Sequence, residues 1–169
     1  SPNKATREAA EKCMQEVSAY ATELSLDRGV YDAIAALDVS KADAETQFYV
    51  TRTLRDFRLA GVDKDDATRQ RIRDLSDSLT LIGQEFGRNI REDKSTVICT
   101  ADELDGMPAD WIAAHKPGAD GKITLTCEYP DAVPVFNYAK NEDLRKRMFM
   151  AYNNRAYPAN IGVLDRLRM

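Results

Sequence analysis

Histidine, cysteine and glycine are scarce in this sequence, and each scarcity excludes a class of chemistry. The 169 residues include one histidine, His115, and three cysteines, Cys13, Cys99 and Cys127. Zinc sites draw on clusters of cysteine and histidine ligands, and neither a CxxC nor a pair of histidines is present. The eight glycines form neither GxGxxG nor GxxxxGK[ST], so no phosphate-binding loop is recognisable. We therefore predict no catalytic residue and no metal ligand within this chain.

Long apolar runs and a strong excess of one charge are missing as well. No stretch approaches the roughly 18 consecutive apolar residues that a membrane helix needs, and residues 1–4 lack the apolar core of a signal peptide. The formal net charge is −4, which argues against a nucleic-acid partner held by bulk electrostatics. We expect no membrane or nucleic-acid partner, and the odd number of cysteines fits a reducing, cytoplasmic location.

Apolar periodicity predicts a mainly α-helical fold, a multi-helix array with long antiparallel helices. In the first helix one narrow apolar stripe contains Ala9, Cys13, Val17, Ala21 and Leu24. In the third helix, which Ser40 or Asp43 caps and Gly61 ends, Phe48, Leu54 and Phe57 are expected to face inward. Helices are expected over 3–26, around 30–37, from Ser40 or Asp43 to Gly61, over 64–94, from Tyr129, from Asn141 and over 160–169.

The clearest periodicity lies in residues 64–94, where apolar side chains recur at spacings of three and four. This heptad seam is predicted to be structural core and consists of Ile72, Leu75, Leu79, Ile82, Phe86 and Ile90. One interpretation is an intramolecular antiparallel pair with the first or third helix. The other is a dimeric coiled coil, which is less favoured because fewer than three or four sustained heptads are present.

Two segments rich in β-branched residues, 95–100 and 122–128, predict one small two-stranded antiparallel β ribbon with a helical excursion between its strands. Cys99 and Cys127 lie on the two strands and could face each other. They are either a redox pair or, as a reducing compartment favours, two small buried hydrophobes.

The expected organisation is a single helical domain or fragment covering 1–169. It has a long-helix layer over 1–94, the ribbon with its helical excursion over 95–128, and C-terminal helices over 129–169. In the last helix, apolar residues keep their helical spacing up to the end of the sequence, at Leu164, Leu167 and Met169. This is typical of a truncated chain.

Two further clusters are functional candidates. His115 follows Trp111 at a predicted helix end, and we favour a satisfied or solvent-facing histidine because the sequence places no serine, cysteine or carboxylate to work with it in catalysis. The aromatic and polar residues of 152–158 could contact a peptide, although a packing role at a helix junction is favoured.

Several weak motifs, taken together in order and spacing, resemble one family. The resemblance is to the N-terminal helical region of the thimet oligopeptidase, neurolysin and oligopeptidase A family of zinc metallopeptidases, and it covers nearly the whole chain. The matching residues are Pro2-Asn3, Arg7-Glu8-Ala9-Ala10, Glu23-Leu24-Ser25-Leu26-Asp27, Glu45-Thr46, Tyr49, Arg58-Leu59-Ala60-Gly61, Phe86-Gly87-Arg88-Asn89-Ile90, Glu103-Leu104-Asp105-Gly106-Met107-Pro108, Tyr129-Pro130, Pro134, Arg147, Asn153-Asn154-Arg155, Asn160 and Leu164-Asp165-Arg166-Leu167-Arg168.

The resemblance implies a mostly helical protein in which two lobes flank a deep, narrow channel that admits short unstructured peptides. Zinc is held there by the two histidines of an H-E-x-x-H helix and a downstream glutamate, and the first glutamate acts on the zinc-bound water as general base. None of these residues has a counterpart in this chain. His115 is the one histidine in the sequence, and the residue after it is a lysine, where the motif requires a glutamate.

The resemblance therefore leads us to expect a non-catalytic channel-wall segment, without a cofactor of its own, of a zinc oligopeptidase. The parent protein would be a metalloendopeptidase or a peptidyl-dipeptidase. Its remaining part, the catalytic lobe, and short peptides would be the partners. The alternative is a stand-alone helical interaction or dimerisation module that uses the 72–90 seam.

Overall fold

The computed structural model of the chain describes residues 3–169, so Ser1 and Pro2, the latter part of one matching motif, lie outside the described residues. Within that range the chain is mainly α-helical with one small β ribbon, which confirms the predicted fold class. The elements are α1 Lys4–Ser25, α2 Arg28–Ala35, α3 Ala44–Ala60, α4 Asp66–Glu92, β1 Thr96–Cys99, a 3-10 turn Ala101–Leu104, α5 Ala109–Ala114, β2 Ile123–Thr126, α6 Tyr129–Tyr138, α7 Glu142–Asn153 and α8 Ile161–Arg168.

The chain forms two compact units. The first unit ends at Gln84, and the second unit runs from Glu85 to Met169. The expectation of a single helical domain with sections 1–94, 95–128 and 129–169 stays a prediction.

Side-chain caps set several of the helix ends, including the end of α3 for which the sequence predicts one. The Asn3 side chain accepts a hydrogen bond from the Thr6 amide at 3.3 Å at the start of α1. Of the two candidates for α3, Asp43 is the cap and accepts from the Thr46 amide at 2.7 Å. Gly61 ends α3 with a φ of +103°, a left-handed conformation that glycine adopts without steric cost.

The first unit buries few large apolar side chains. Among its described residues, Leu26 and Val62 are the buried hydrophobic side chains. Leu54 and Phe57 of α3 are half-buried as expected, and the Phe57 ring lies 6.2 Å from that of Tyr31. The prediction that Phe48 faces inward is wrong, because its side chain is 66% exposed near the start of the helix.

The second unit has a well-formed core beneath the ribbon. Strands β1 and β2 are antiparallel, with Thr96 opposite Thr126 and Cys99 opposite Ile123. Side chains alternate between buried and exposed along each strand, because successive residues of a strand point to opposite faces. The buried cluster contains Val97, Cys99, Leu104, Met107, Ile123, Leu125, Cys127, Ala132, Val135, Ala139, Leu144 and Met148.

Candidate functional surfaces

Helix α1 turns its polar face toward α4 and its apolar stripe toward solvent. Gln15 Nε2 donates to Gln84 Oε1 at 2.6 Å, and Gln84 Nε2 donates to the Glu11 carbonyl at 2.9 Å. The predicted stripe is exposed throughout its length, at Ala9, Cys13, Val17, Ala21 and Leu24. An amphipathic helix with its apolar face in water presents a surface suited to a further partner.

The heptad seam of α4 is likewise only partly covered. Leu75 is 42% exposed and Leu79 is 52% exposed, while Ile72, Ile82, Phe86 and Ile90 are half-buried. None of the six belongs to the buried core of this chain, so the seam stays a predicted packing surface. Other large apolar side chains exposed in the first unit are Met14, Val17, Tyr20, Leu24, Leu37, Phe48, Tyr49, Leu59 and Leu81.

Arg147 of α7 ties three elements of the second unit together. Its Nη1 donates to the Ile98 carbonyl at 2.6 Å, and its Nε donates to Asp143 Oδ2 at 2.7 Å. Its Nη2 forms an ion pair with Glu103, whose other oxygen accepts from the Thr100 amide at 2.8 Å in a capping box. The sequence places Arg147 on the basic side of its helix but does not show these contacts, because two of its partners lie 44 and 49 residues away.

His115 contacts a carboxylate that sequence reasoning missed. Its Nε2 lies 3.0 Å from Asp131 Oδ1 and its Nδ1 lies 2.7 Å from the Trp111 carbonyl oxygen. The Trp111 ring stacks on the imidazole with ring centroids 3.7 Å apart. The histidine is therefore satisfied, as favoured from the sequence. The carboxylate went unnoticed because it lies 16 residues further along the chain.

Asp131 makes the stability of the second unit depend on pH. Burial by itself would raise the pKa of the Asp131 carboxyl, but hydrogen bonds from Thr126 and His115 outweigh burial and lower the pKa below its usual 3.8. A lowered pKa in the folded state contributes stability above about pH 4, and this contribution is lost as the pH falls through the folded value.

We expect Asp131→Asn to lower the free energy of unfolding by about 1–2 kcal/mol at pH 7, because the amide cannot accept the same charge-assisted hydrogen bonds. Between pH 4 and pH 2 the variant should lose less stability than the unaltered chain. Urea unfolding at pH 7, 4 and 2.5 measures both effects, with the exposed Asp110→Asn as control. Equal acid sensitivity of the two variants would contradict this assignment.

The two strand cysteines are buried free thiols. The register places Cys99 opposite Ile123, four residues before Cys127, which is about 13 Å along a strand. The two sulfurs therefore do not face each other, which corrects the expectation that they could. Burial raises the pKa of both thiols and so disfavours the reactive thiolate. We therefore interpret Cys99 and Cys127 as two small buried hydrophobic residues and not as a redox pair.

Residues of the segment 152–158 make local contacts at the C-terminal end of α7. The Arg155 guanidinium stacks on the Tyr152 ring at 3.9 Å, and its Nε donates to the Tyr152 carbonyl at 2.9 Å. The amide groups of Asn153 and Asn154 donate to carbonyls four residues earlier. These local contacts agree with a packing role at a helix junction.

Within 3–169, no group of three or more histidine, cysteine, aspartate or glutamate side chains is placed to hold a metal ion. Within the same range, every helix is too short or too polar to span a bilayer.

The chain is similar in sequence to a class of peptidases, the oligopeptidases, although no family model matches it. Oligopeptidase A of Salmonella typhimurium is 30% identical over 161 residues, which cover 89% of this chain and 24% of that protein. Saccharolysin of Saccharomyces cerevisiae is 26% identical over 181 residues, covering 100% of this chain and 25% of that protein. A probable thimet oligopeptidase of Arabidopsis thaliana is 26% identical over 169 residues, covering 99% of this chain and 24% of that protein.

The resemblance to the thimet oligopeptidase family that the sequence motifs predict is thereby confirmed. The chain spans about a quarter of the length of the curated relatives it matches.

Proposed function

We propose that this chain is the N-terminal helical region of a zinc-dependent oligopeptidase that hydrolyses short peptides. The observation that carries the proposal is the similarity to oligopeptidases over 89% or more of the chain, against a quarter of their length. The chain itself is non-catalytic. The H-E-x-x-H helix that holds zinc belongs to the remaining part of the protein, because His115 is followed here by Lys116 and Pro117.

In this proposal the chain forms part of the wall of a peptide channel. The helices of the first unit would supply rigid elements that keep an opening of fixed width. Their uncovered apolar side chains, such as Val17 and Leu79, support packing against the remainder of the peptidase, because exposed apolar area costs about 25 cal/mol per Å² relative to burial. A cytoplasmic location belongs to the same proposal.

The isolated chain provides the first test. We expect it to release no fluorescence from quenched peptides of five to fifteen residues, with or without added zinc. Equilibrium dialysis should find no stoichiometric zinc retained. Hydrolysis that scales with chain concentration and stops on adding a chelator, or retention of one zinc ion per chain, would contradict a non-catalytic role. Circular dichroism supplies the control that the tested chain is helical.

A second candidate function is a stand-alone dimerisation module, which the exposure of Leu75 and Leu79 on α4 favours. In that case the chain should sediment as a dimer that dissociates in Leu79→Asp. The matched variant Val17→Asp, exposed on α1, should leave such a dimer intact. Sedimentation that does not change in Leu79→Asp would exclude the module and leave the peptidase segment.

A further inference from the structure

The sequence contains two Asp-Gly steps, and the fold treats them differently. Asp120-Gly121 lies in the loop between α5 and β2, and Asp105-Gly106 follows the 3-10 turn. An aspartate before glycine is chemically reactive, because the next residue has no side chain that shields its backbone nitrogen from the carboxyl carbon. Attack by that nitrogen closes a five-membered succinimide ring. In a folded chain the reaction depends on how freely the backbone around the step rearranges.

The Asp120 carboxyl group lies over the backbone that follows it. Its Oδ1 accepts a hydrogen bond from the Lys122 amide at 3.1 Å, two residues further on, which is typical of aspartate in turns. The same oxygen would lie 3.2 Å from a Cβ built on Gly118, so the group is folded onto the turn. Its Cγ is therefore held beside the Gly121 peptide group, which lies between Asp120 and Lys122.

Little opposes rearrangement of the backbone at Gly121. Asp120 and Gly121 are both exposed, and among the described residues a Cβ built on Gly121 would meet no atom within 4 Å. The Gly121 amide donates to the Gly118 carbonyl at 3.0 Å, but this bond lies in an exposed turn, which opens locally at low cost. The Gly121 nitrogen is therefore accessible to the neighbouring carboxyl group.

The other step is clamped. A Cβ built on Gly106 would lie 2.4 Å from the Tyr138 carbonyl oxygen, so the backbone of this step is pressed against the end of α6. The Lys140 amide donates to the Asp105 carbonyl at 2.9 Å, and the Lys140 ammonium donates to both Asp105 carboxylate oxygens, at 3.3 and 3.2 Å. Ring closure at Asp105 requires the loss of these contacts.

We propose that Asp120 is a site of spontaneous covalent modification, at which a succinimide forms and opens to isoaspartate. The Gly121 nitrogen bonds to Asp120 Cγ, and the carboxyl hydroxyl leaves with the amide hydrogen as one water molecule. One water molecule then opens the ring. Opening at Cγ restores aspartate, whereas opening at the α-carbonyl breaks its bond to the Gly121 nitrogen and leaves isoaspartate, with the main chain running through Cβ. No electron is transferred, and the site does not depend on the proposed peptidase function.

Incubation of the full chain in H₂¹⁸O at pH 7.4 and 37 °C tests the proposal, because each passage through the ring inserts one ¹⁸O atom. Trypsin does not cleave between Lys116 and Pro117, so one peptide, 95–122, carries both steps, and its fragment masses locate the label. We expect about tenfold more label at Asp120 than at Asp105, because one step is exposed and the other is clamped. In guanidinium chloride, where the fold is lost, both steps should label at similar rates.

Three variants assign the effect to these residues. Gly121→Ala should lower the label at Asp120 by about tenfold, because a Cβ shields the attacking nitrogen. Lys140→Ala should raise the label at Asp105, because it removes the ammonium that holds this carboxylate. The matched control Gly162→Ala, in α8, should change neither label. Circular dichroism checks that each variant is folded.

The second product requires its own measurement. A carboxyl methyltransferase specific for isoaspartate, with labelled S-adenosylmethionine, should methylate the incubated chain and should not methylate incubated Gly121→Ala. Equal ¹⁸O labelling of the two steps in the folded chain would overturn the proposal. So would label at Asp120 that appears only in guanidinium chloride, or label at Asp120 in a chain that the methyltransferase does not modify.

Discussion

Gly106→Ala should lower the free energy of unfolding of the second unit by about 3 kcal/mol or more. Gly106 has a φ of +93°, and a Cβ added there would lie 2.4 Å from the Tyr138 carbonyl oxygen and 3.3 Å from the Lys140 nitrogen. The neighbouring backbone cannot retreat freely, because the Lys140 amide donates to the Asp105 carbonyl at 2.9 Å. Urea unfolding followed by circular dichroism measures the loss.

Two other glycines of the same unit serve as controls. A Cβ at Gly162, within α8, meets no atom within 4 Å, so Gly162→Ala should leave stability unchanged or raise it by up to about 1 kcal/mol. Gly121 has a φ of +72° with no atom within 4 Å, so Gly121→Ala should cost only about 1–2 kcal/mol of backbone strain. A Gly106→Ala variant as stable as Gly162→Ala would contradict the close approach at Tyr138.

The second large effect is expected at Leu144, which is fully buried in the core of the second unit. Truncation of a buried leucine to alanine loses the transfer free energy of its methyl groups and leaves a cavity, which together cost about 2–5 kcal/mol. We therefore expect Leu144→Ala to lower the urea midpoint strongly.

The matched control for that substitution is Leu164→Ala in α8, where the side chain is 40% exposed. Its cost should stay below about 1.5 kcal/mol, because much of the side chain is already in water. Equal losses of unfolding free energy in Leu144→Ala and Leu164→Ala would contradict the placement of Leu144 in the core.

Local signals in the sequence were sufficient for the secondary structure. Asn3, Asp43 and Asn141 cap helices, with the Asn141 side chain accepting from the Leu144 amide at 2.8 Å. The β-branched segments form the ribbon, and Thr100 with Glu103 forms a capping box at the start of the 3-10 turn. These features could be predicted because each depends on residues close together in the chain.

The orientation of α1 could not be predicted from its own pattern. An apolar stripe shows which face of a helix requires cover, but it does not show which element supplies that cover. Here the amides of Gln15 and Gln84 satisfy the polar face, and Val17 remains in water. The proposed peptidase function accounts for this arrangement, since the missing cover would come from the rest of the protein.

Contacts between distant residues were also beyond the sequence. The His115–Asp131 pair and the contacts of Arg147 with Ile98 and Glu103 join residues 16 to 49 positions apart, and each charged side chain had several equally suitable partners. Only packing of α5 beside α6, and of α7 on β1, selects among them.

We have proposed that this chain forms part of a larger zinc oligopeptidase. Sequencing the source reading frame beyond the codon for Met169 tests it most directly. We predict that the frame continues for several hundred codons and encodes H-E-x-x-H followed by a downstream glutamate. A stop codon immediately after Met169 would contradict the peptidase proposal and leave the helical interaction module as the function to test.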